Sequence, residues 1–164
     1  MDNPTPQLYS NASFLDPLSN LSLTDLINPL SSELSPSEIF SYLRHLHDPE
    51  HPNLSLEQLR VVRLEHITVN SNVVTVLYTP TIPTCSVATV IGLTLVAKLM
   101  FCLPEGSKIR VQVAPKTHDQ EGSINKQLVD KERVAAAMEN RNLLKMVKRA
   151  VKRTDVMPSG LVLA

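Results

Sequence analysis

Cys85 is the residue best placed to do chemistry. It follows a proline-containing loop and opens an apolar stretch, where unpaired backbone N–H groups and the helix dipole would favour a thiolate. A lowered thiol pKa is therefore expected, set against the commoner fate of a lone cysteine, which is inert burial. Cys102 lies near the other end of the same stretch, where the dipole has the opposite sign, so it should be the less acidic thiol and pack in the core. His118 and Glu121 are spaced H-x-x-E, close enough in a helical turn to share a metal or a proton. Asp48, Glu50 and His51 form a second donor group within D-P-E-H-P. A tetrahedral zinc needs three or four protein ligands, so Cys85 and His118 are only candidates and no stable metal site is assigned. Capping and turn formation are the competing roles for His118 and Glu121. No Walker loop, dinucleotide fingerprint, C-x-x-C, H-E-x-x-H or G-x-S-x-G occurs, and four glycines leave little for a phosphate-cradling loop.

These residues need a scaffold to position them, and its elements follow from local pattern. Ser35 suits an N-cap and Pro36 the first helical position, with Ile39, Phe40, Leu43 and Leu46 at helical spacing, so a helix should run from 36 to near His47. The two prolines of Asp48-Pro49-Glu50-His51-Pro52 exclude helix and impose a rigid turn. Val61 to Val69 and Val73 to Thr79 are β-branched runs joined by Asn70-Ser71-Asn72, which predicts a hairpin. Val87 to Leu103 carries one charge, Lys98, before Pro104. It is slightly short for a membrane span and lacks a charge asymmetry across its flanks, so a core helix is the better reading. Lys108 to Ala114 alternates as a half-buried strand, completing a right-handed crossover. Ile124, Leu128, Val134 and Met138 then share a face of one helical segment, and Leu143, Leu144, Val147, Ala150 and Val151 a face of a last helix. The fold class is α+β: a two-layer domain in the order helix, β-hairpin, helix, strand, helices, with a small mixed sheet.

Composition bounds the rest. At 164 residues and 43% hydrophobic content, one core is expected and disorder throughout is excluded. The formal net charge is zero, so the chain lacks the overall basic field of a nucleic-acid binder. Charge is uneven, however. Residues 1 to 35 hold four acids and no base, are rich in Pro, Ser and Asn, and read as a disordered acidic leader in which Leu21, Leu26, Ile27 and Leu30 could form one face of a short helix. Residues 141 to 153 hold six bases and no acid, a solvated face or a surface for an acidic partner. The domain is therefore assigned to 36–153 and a flexible tail to 154–164. Two cysteines are too few for a disulfide framework, and no secretory leader opens the chain, so a reducing setting in cytosol or nucleus is expected. The run Asn125-Lys126-Gln127-Leu128-Val129-Asp130-Lys131-Glu132-Arg133 is dense in charge, with Lys126–Asp130 and Asp130–Arg133 spaced to pair along a helix.

Five segments together carry a resemblance. D-P-E-H-P at 48 to 52, L-E-Q-L-R-V-V at 56 to 62, T-P-T-I-P-T-C-S-V-A-T-V-I-G-L at 79 to 93, V-A-P-K-T-H at 113 to 118 and N-K-Q-L-V-D-K-E-R-V-A-A-A at 125 to 137 resemble the eukaryotic targeting subunit of cytosolic iron-sulfur cluster assembly. The likeness spans roughly residues 36 to 150. It implies a small α+β domain of the metal-sulfur cluster biosynthesis type. It also implies a non-enzymatic adaptor that joins a WD-repeat β-propeller and a HEAT-repeat protein and hands clusters to apo-proteins, DNA replication and repair enzymes among them, with a link to chromosome segregation. No tightly bound cofactor is implied, only transient contact with an iron-sulfur cluster, and a second copy of the chain is a further candidate partner. Direct contact with nucleic acid or membrane is not expected. Cys85 falls on the family's reactive cysteine, and Asp48, Glu50, His51, His118, Glu121, Asn125, Lys126, Asp130, Lys131, Glu132 and Arg133 fall on its shared motifs. The chain departs from the pattern at Thr84 and Val87, where His and Met are expected, at Lys116, where Gly is expected, and at Phe101-Cys102, where Arg-Ser is usual. Its last helix is also more basic. Two alternatives from other classes are a thiol enzyme using Cys85 with His118 as base, and a stand-alone metal or cluster carrier.

Overall fold

A computed structural model describes residue 3, residues 5–9 and residues 34–152. The expected helical face at Leu21, Leu26, Ile27 and Leu30, Arg153 and the tail 154–164 lie outside the described residues, as do the side chains of Ala150 and Val151. Helix α1 (Pro36–Leu43) starts as its sequence dictates. The Ser35 hydroxyl accepts from the Glu38 N–H, the Glu38 carboxylate accepts from the Ser35 N–H, and Pro36 occupies the first turn. The helix ends earlier than the expected His47. The reason lies in the next segment: Leu56 N–H bonds to Leu46 C=O and Asp48 N–H to Leu54 C=O, so the chain from 46 to 48 pairs with 54 to 56 instead of continuing the helix.

The sheet is mixed, in the order β1 (Ile67–Asn70), β2 (Val73–Tyr78), β3 (Lys108–Val113). β1 and β2 are antiparallel across a turn in which Ser71 takes φ 51°, while β2 and β3 are parallel. The first strand is shorter than the β-branched run suggested. Val61 and Val62 are buried but leave the ladder, bonding back to Leu56 C=O, and a 3-10 turn at Leu64–His66 precedes the strand. Register places Ile67 beside Val76, Val76 beside Val111, and Tyr78 beside Val113. The alternate residues of all three strands therefore form one apolar face.

Helix α2 (Ala88–Cys102) connects β2 to β3 and has eleven buried residues from Ala88 to Leu99, so it is a core helix on nearly all sides. Among the described residues, no helix is long and apolar enough to cross a membrane. α2 packs on β3 and against α1, α3 (Glu121–Val129) and α5 (Arg141–Lys152). The expected single helical segment after β3 is two helices. Asp130 leaves the helical region (φ −81°, ψ 108°) and its carboxylate caps α4 (Lys131–Glu139) by accepting from the Glu132 and Arg133 N–H groups. Ile124, Leu128 and Val134 are still buried, with Met138 packed at the edge. The result is an α+β domain with its helices gathered on the apolar face of a three-stranded sheet.

Part of the leader is seated on this domain, rather than free of it. The Tyr9 N–H donates to Gln58 C=O and the Tyr9 ring lies 4.3 Å from the Arg60 guanidinium carbon.

Gly92 is the tightest point of α2. A Cβ there would lie 2.5 Å from Leu128 Cδ1 and 2.9 Å from the Tyr78 hydroxyl, both in the buried core. At Gly122 in α3, nothing lies within 4 Å of the same position. Ala at 92 should overpack the core at a cost of about 1–3 kcal/mol, exceeding the gain of about 1 kcal/mol in helix propensity. Ala at 122 carries only the gain. Urea denaturation should place Gly92→Ala below the parent chain and Gly122→Ala above it; equal midpoints for the two would refute this packing.

Candidate functional site

Cys85 sits one turn before α2, in the loop that leaves β2. Two side chains from distant segments close around that loop. The Glu50 carboxylate accepts from the Ser86 hydroxyl at 3.0 Å, and the His118 Nε2–H donates to Cys85 C=O at 3.0 Å. The His118 Nδ1 accepts from the Gln120 N–H at 3.0 Å, which assigns the ring its tautomer and occupies both nitrogens. The Asp119 N–H adds a bond to Pro83 C=O. The segments read separately as Asp48-Pro49-Glu50-His51-Pro52, the Cys85 loop and the His118 loop thus meet at one place.

The D-P-E-H-P turn is built by Asp48, which is 3% exposed. One carboxylate oxygen accepts from the Glu50 and His51 N–H groups, each at 2.8 Å, and lies 3.2 Å from His51 Nδ1. His51 Nε2 is 2.7 Å from Asn3 C=O, so the leader closes the other side of the ring. Donor atoms of Asp48, Glu50 and His51 lie within 4.8 Å of one another. Their hydrogen bonds already account for the arrangement as a turn.

The thiol itself differs from the sequence expectation. Cys85 is 4% exposed, and burial pushes its thiol pKa up, with the Glu50 and Asp48 carboxylates adding to the rise. The Val87 and Ala88 backbone N–H groups pull the other way, as a helix start should, but they are outweighed. Cys102 is also raised, first by burial, with Lys98 opposing. It is half-buried rather than fully packed.

The H-x-x-E pair does not act as one unit. While His118 holds the Cys85 loop, Glu121 turns to accept from the Lys116 N–H at 2.7 Å. Asn125 accepts from the Val113 N–H at 2.8 Å, capping the end of β3. Glu121 and Asn125 therefore shape the β3–α3 loop that carries His118. Lys126, Lys131, Glu132 and Arg133 lie on the exposed surface of α3 and α4, with no hydrogen bond to the Cys85 loop among the described residues. Asp130 pairs with Arg133 at 3.2 Å; because the helix breaks at Asp130, the i,i+4 geometry expected for Lys126 is lost. Two participants carried no sequence signal: Ser86, and Tyr78, whose hydroxyl donates to Ala88 C=O at 2.8 Å beneath the site.

The profile of the iron-sulfur cluster assembly protein family matches residues 36–113. The chain is 50% identical over 116 residues to mouse cytosolic iron-sulfur assembly component 2B, covering 70% of this chain and 71% of that protein. It is 40% identical over 161 residues to the Dictyostelium discoideum protein of the same name, covering 93% and 98%. MIP18 family protein galla-2 of Drosophila melanogaster is 48% identical over 116 residues, covering 70% and 74%. The chain belongs to the MIP18 family. The resemblance read from the five segments is therefore correct at the level of the family, and all the segments that meet around Cys85 except the His118 loop fall inside the matched profile.

Lys116 stands where the family pattern led us to expect Gly, and its backbone has φ 64°. That left-handed conformation costs an L residue about 1–2 kcal/mol and glycine nothing comparable. Lys116→Gly should therefore raise stability by about 1 kcal/mol, whereas Glu121→Ala, which removes the carboxylate holding the Lys116 N–H, should lower it by a similar amount. Thermal unfolding of the two variants checks both signs.

The raised Cys85 pKa fixes a second expectation. The folded thiol holds its proton above the range of the unfolded one, so its contribution to stability is complete below the unfolded pKa and is lost as pH rises through the folded pKa. Iodoacetamide should modify native Cys85 only as pH climbs past the ordinary thiol range. Glu50→Gln removes a raising charge and should move that profile to lower pH; an unmoved profile would mean the carboxylate does not act on the sulfur.

Proposed function

We propose that this chain is a non-enzymatic adaptor in cytosolic iron-sulfur cluster assembly. In this reading it joins a WD-repeat β-propeller to a HEAT-repeat protein and positions apo-proteins for cluster insertion in the cytoplasm and the nucleus, DNA replication and repair enzymes included. A consequence for chromosome segregation would follow through those clients. The relatives' names, cytosolic iron-sulfur assembly component 2B, support the process and the compartment.

The observation that carries the adaptor reading is the state of the Cys85 site. The thiol is buried and held protonated, and both nitrogens of His118, the histidine bonded to its loop, are spent on backbone groups. A thiol enzyme needs a base hydrogen-bonded to its sulfur. His118 is turned to the Cys85 carbonyl instead. Stable storage of a cluster is disfavoured by the second cysteine's position, since Cys85 precedes α2 and Cys102 is its last residue, so the length of the helix, about 20 Å, separates them. The cluster is therefore cargo, touching Cys85 only in passage.

The test is purification of the tagged protein from its own cells, with and without Cys85→Ser, followed by identification of co-purifying proteins and assay of iron and acid-labile sulfide. WD-repeat and HEAT-repeat partners should come down with both forms, and clients or iron should fall at least several-fold with the variant alone. Recovery of neither partner would overturn the adaptor reading. Unchanged client loading with Cys85→Ser would remove the thiol from transfer.

A further inference from the structure

An open pocket of 230 Å³ lies between the N-terminal segment and the start of the β2–α2 loop, away from the Cys85 sulfur. Its polar lining is Gln7, Arg60, Arg63, Thr79 and Thr81, with the Tyr9 ring on one side, and no acidic residue lines it. We propose that this pocket binds a phosphate monoester.

Three observations point to an anion. Arg60 is stacked on Tyr9, which occupies the flat face of the guanidinium and leaves its N–H donors in the plane. The Arg60 backbone has φ 52°, a left-handed conformation for a side chain that any right-handed turn would direct elsewhere. Arg63 has a buried Nε with no partner among the described residues, while its Nη2 reaches the Thr79 hydroxyl at 3.4 Å and the neutral-favouring His66 ring. Its one carboxylate neighbour, Glu65, is 3.7 Å away from Nη1 and largely exposed, too weak a pair to satisfy the guanidinium. The Arg60 fork, the remaining edge of the Arg63 guanidinium and two hydroxyls match the several acceptor oxygens of a phosphate.

The pocket is larger than a bare oxyanion fills. Leu59 and Pro80 are buried beneath it, and with Tyr9 they offer an apolar wall for the organic group of an ester. That group is either a small molecule or a phosphorylated side chain of a peptide, and the shared chemistry is the monoester phosphate.

The full chain should be titrated with inorganic phosphate, phenyl phosphate and a blocked phosphoserine peptide, followed by amide NMR shifts at matched ionic strength. Saturable shifts at Arg60, Thr79 and Thr81 are expected, with phenyl phosphate or the peptide at least threefold tighter than inorganic phosphate; the tighter of the two names the source. Arg63→Gln should weaken binding tenfold or more. Arg60→Gln, at an exposed position that should not disturb folding, should do the same, and Arg110→Gln on the far strand should change nothing. Linear shifts matched by sodium chloride, preference for inorganic phosphate, or indifference to Arg60→Gln would each overturn the assignment.

Discussion

The placement of Cys85 depends on Tyr78. This residue ends β2, is fully buried, and ties two different segments to the strand: its carbonyl accepts from the Ala114 N–H beyond β3, and its hydroxyl donates to Ala88 C=O in the first turn of α2. A buried hydroxyl without a partner would be costly, so the bond fixes where α2 begins relative to the sheet. Burial holds the phenol well above its ordinary pKa range, which keeps the donor proton in place. The loop from Thr79 to Val87 is strung between the two ends that Tyr78 joins. Gly92, one turn further along α2, makes the room in which the hydroxyl lies.

Around that anchored loop, the polar residues act mainly through backbone groups. Asp48 closes its own turn, Asn125 caps β3, Glu121 holds a strained Lys116, and His118 holds the Cys85 carbonyl. Each uses a side-chain acceptor or donor where secondary structure leaves a backbone group unpaired. Donor residues that suggest a metal site or a catalytic pair in one dimension are thus largely consumed in holding three loops together. The thiol is the chemistry left at the centre, with Glu50 bonded to Ser86 beside it.

The thiol illustrates how two sound local rules can disagree. A helix start supplies N–H groups that stabilise a thiolate, and Val87 and Ala88 supply them here. Removing the sulfur from water destabilises the same thiolate, and two nearby carboxylates repel it. The first effect is legible from Cys85 and the residues after it. The second requires knowing that residues 48 to 50 fold over the loop, which no spacing reveals.

That distinction separates what was legible from what was not. The Ser35 cap, the proline-bound turn, the order of strands and helices and the core role of α2 all rest on residues within a few positions of one another, and the sequence shows them directly. Element ends were less legible, because tertiary bonds decide them: Leu56 draws Leu46 out of α1, and Asp130 prefers capping α4 to continuing α3. The site was legible only as separate pieces. Glu50 meets Ser86 across 36 residues and His118 meets Cys85 across 33, joined by hydrogen bonds whose partners carry no mutual signature in the chain. Recognition of the family supplied the grouping that physics of the isolated segments did not. The fold then supplied what the grouping lacked, namely that His118 faces a carbonyl and not the sulfur.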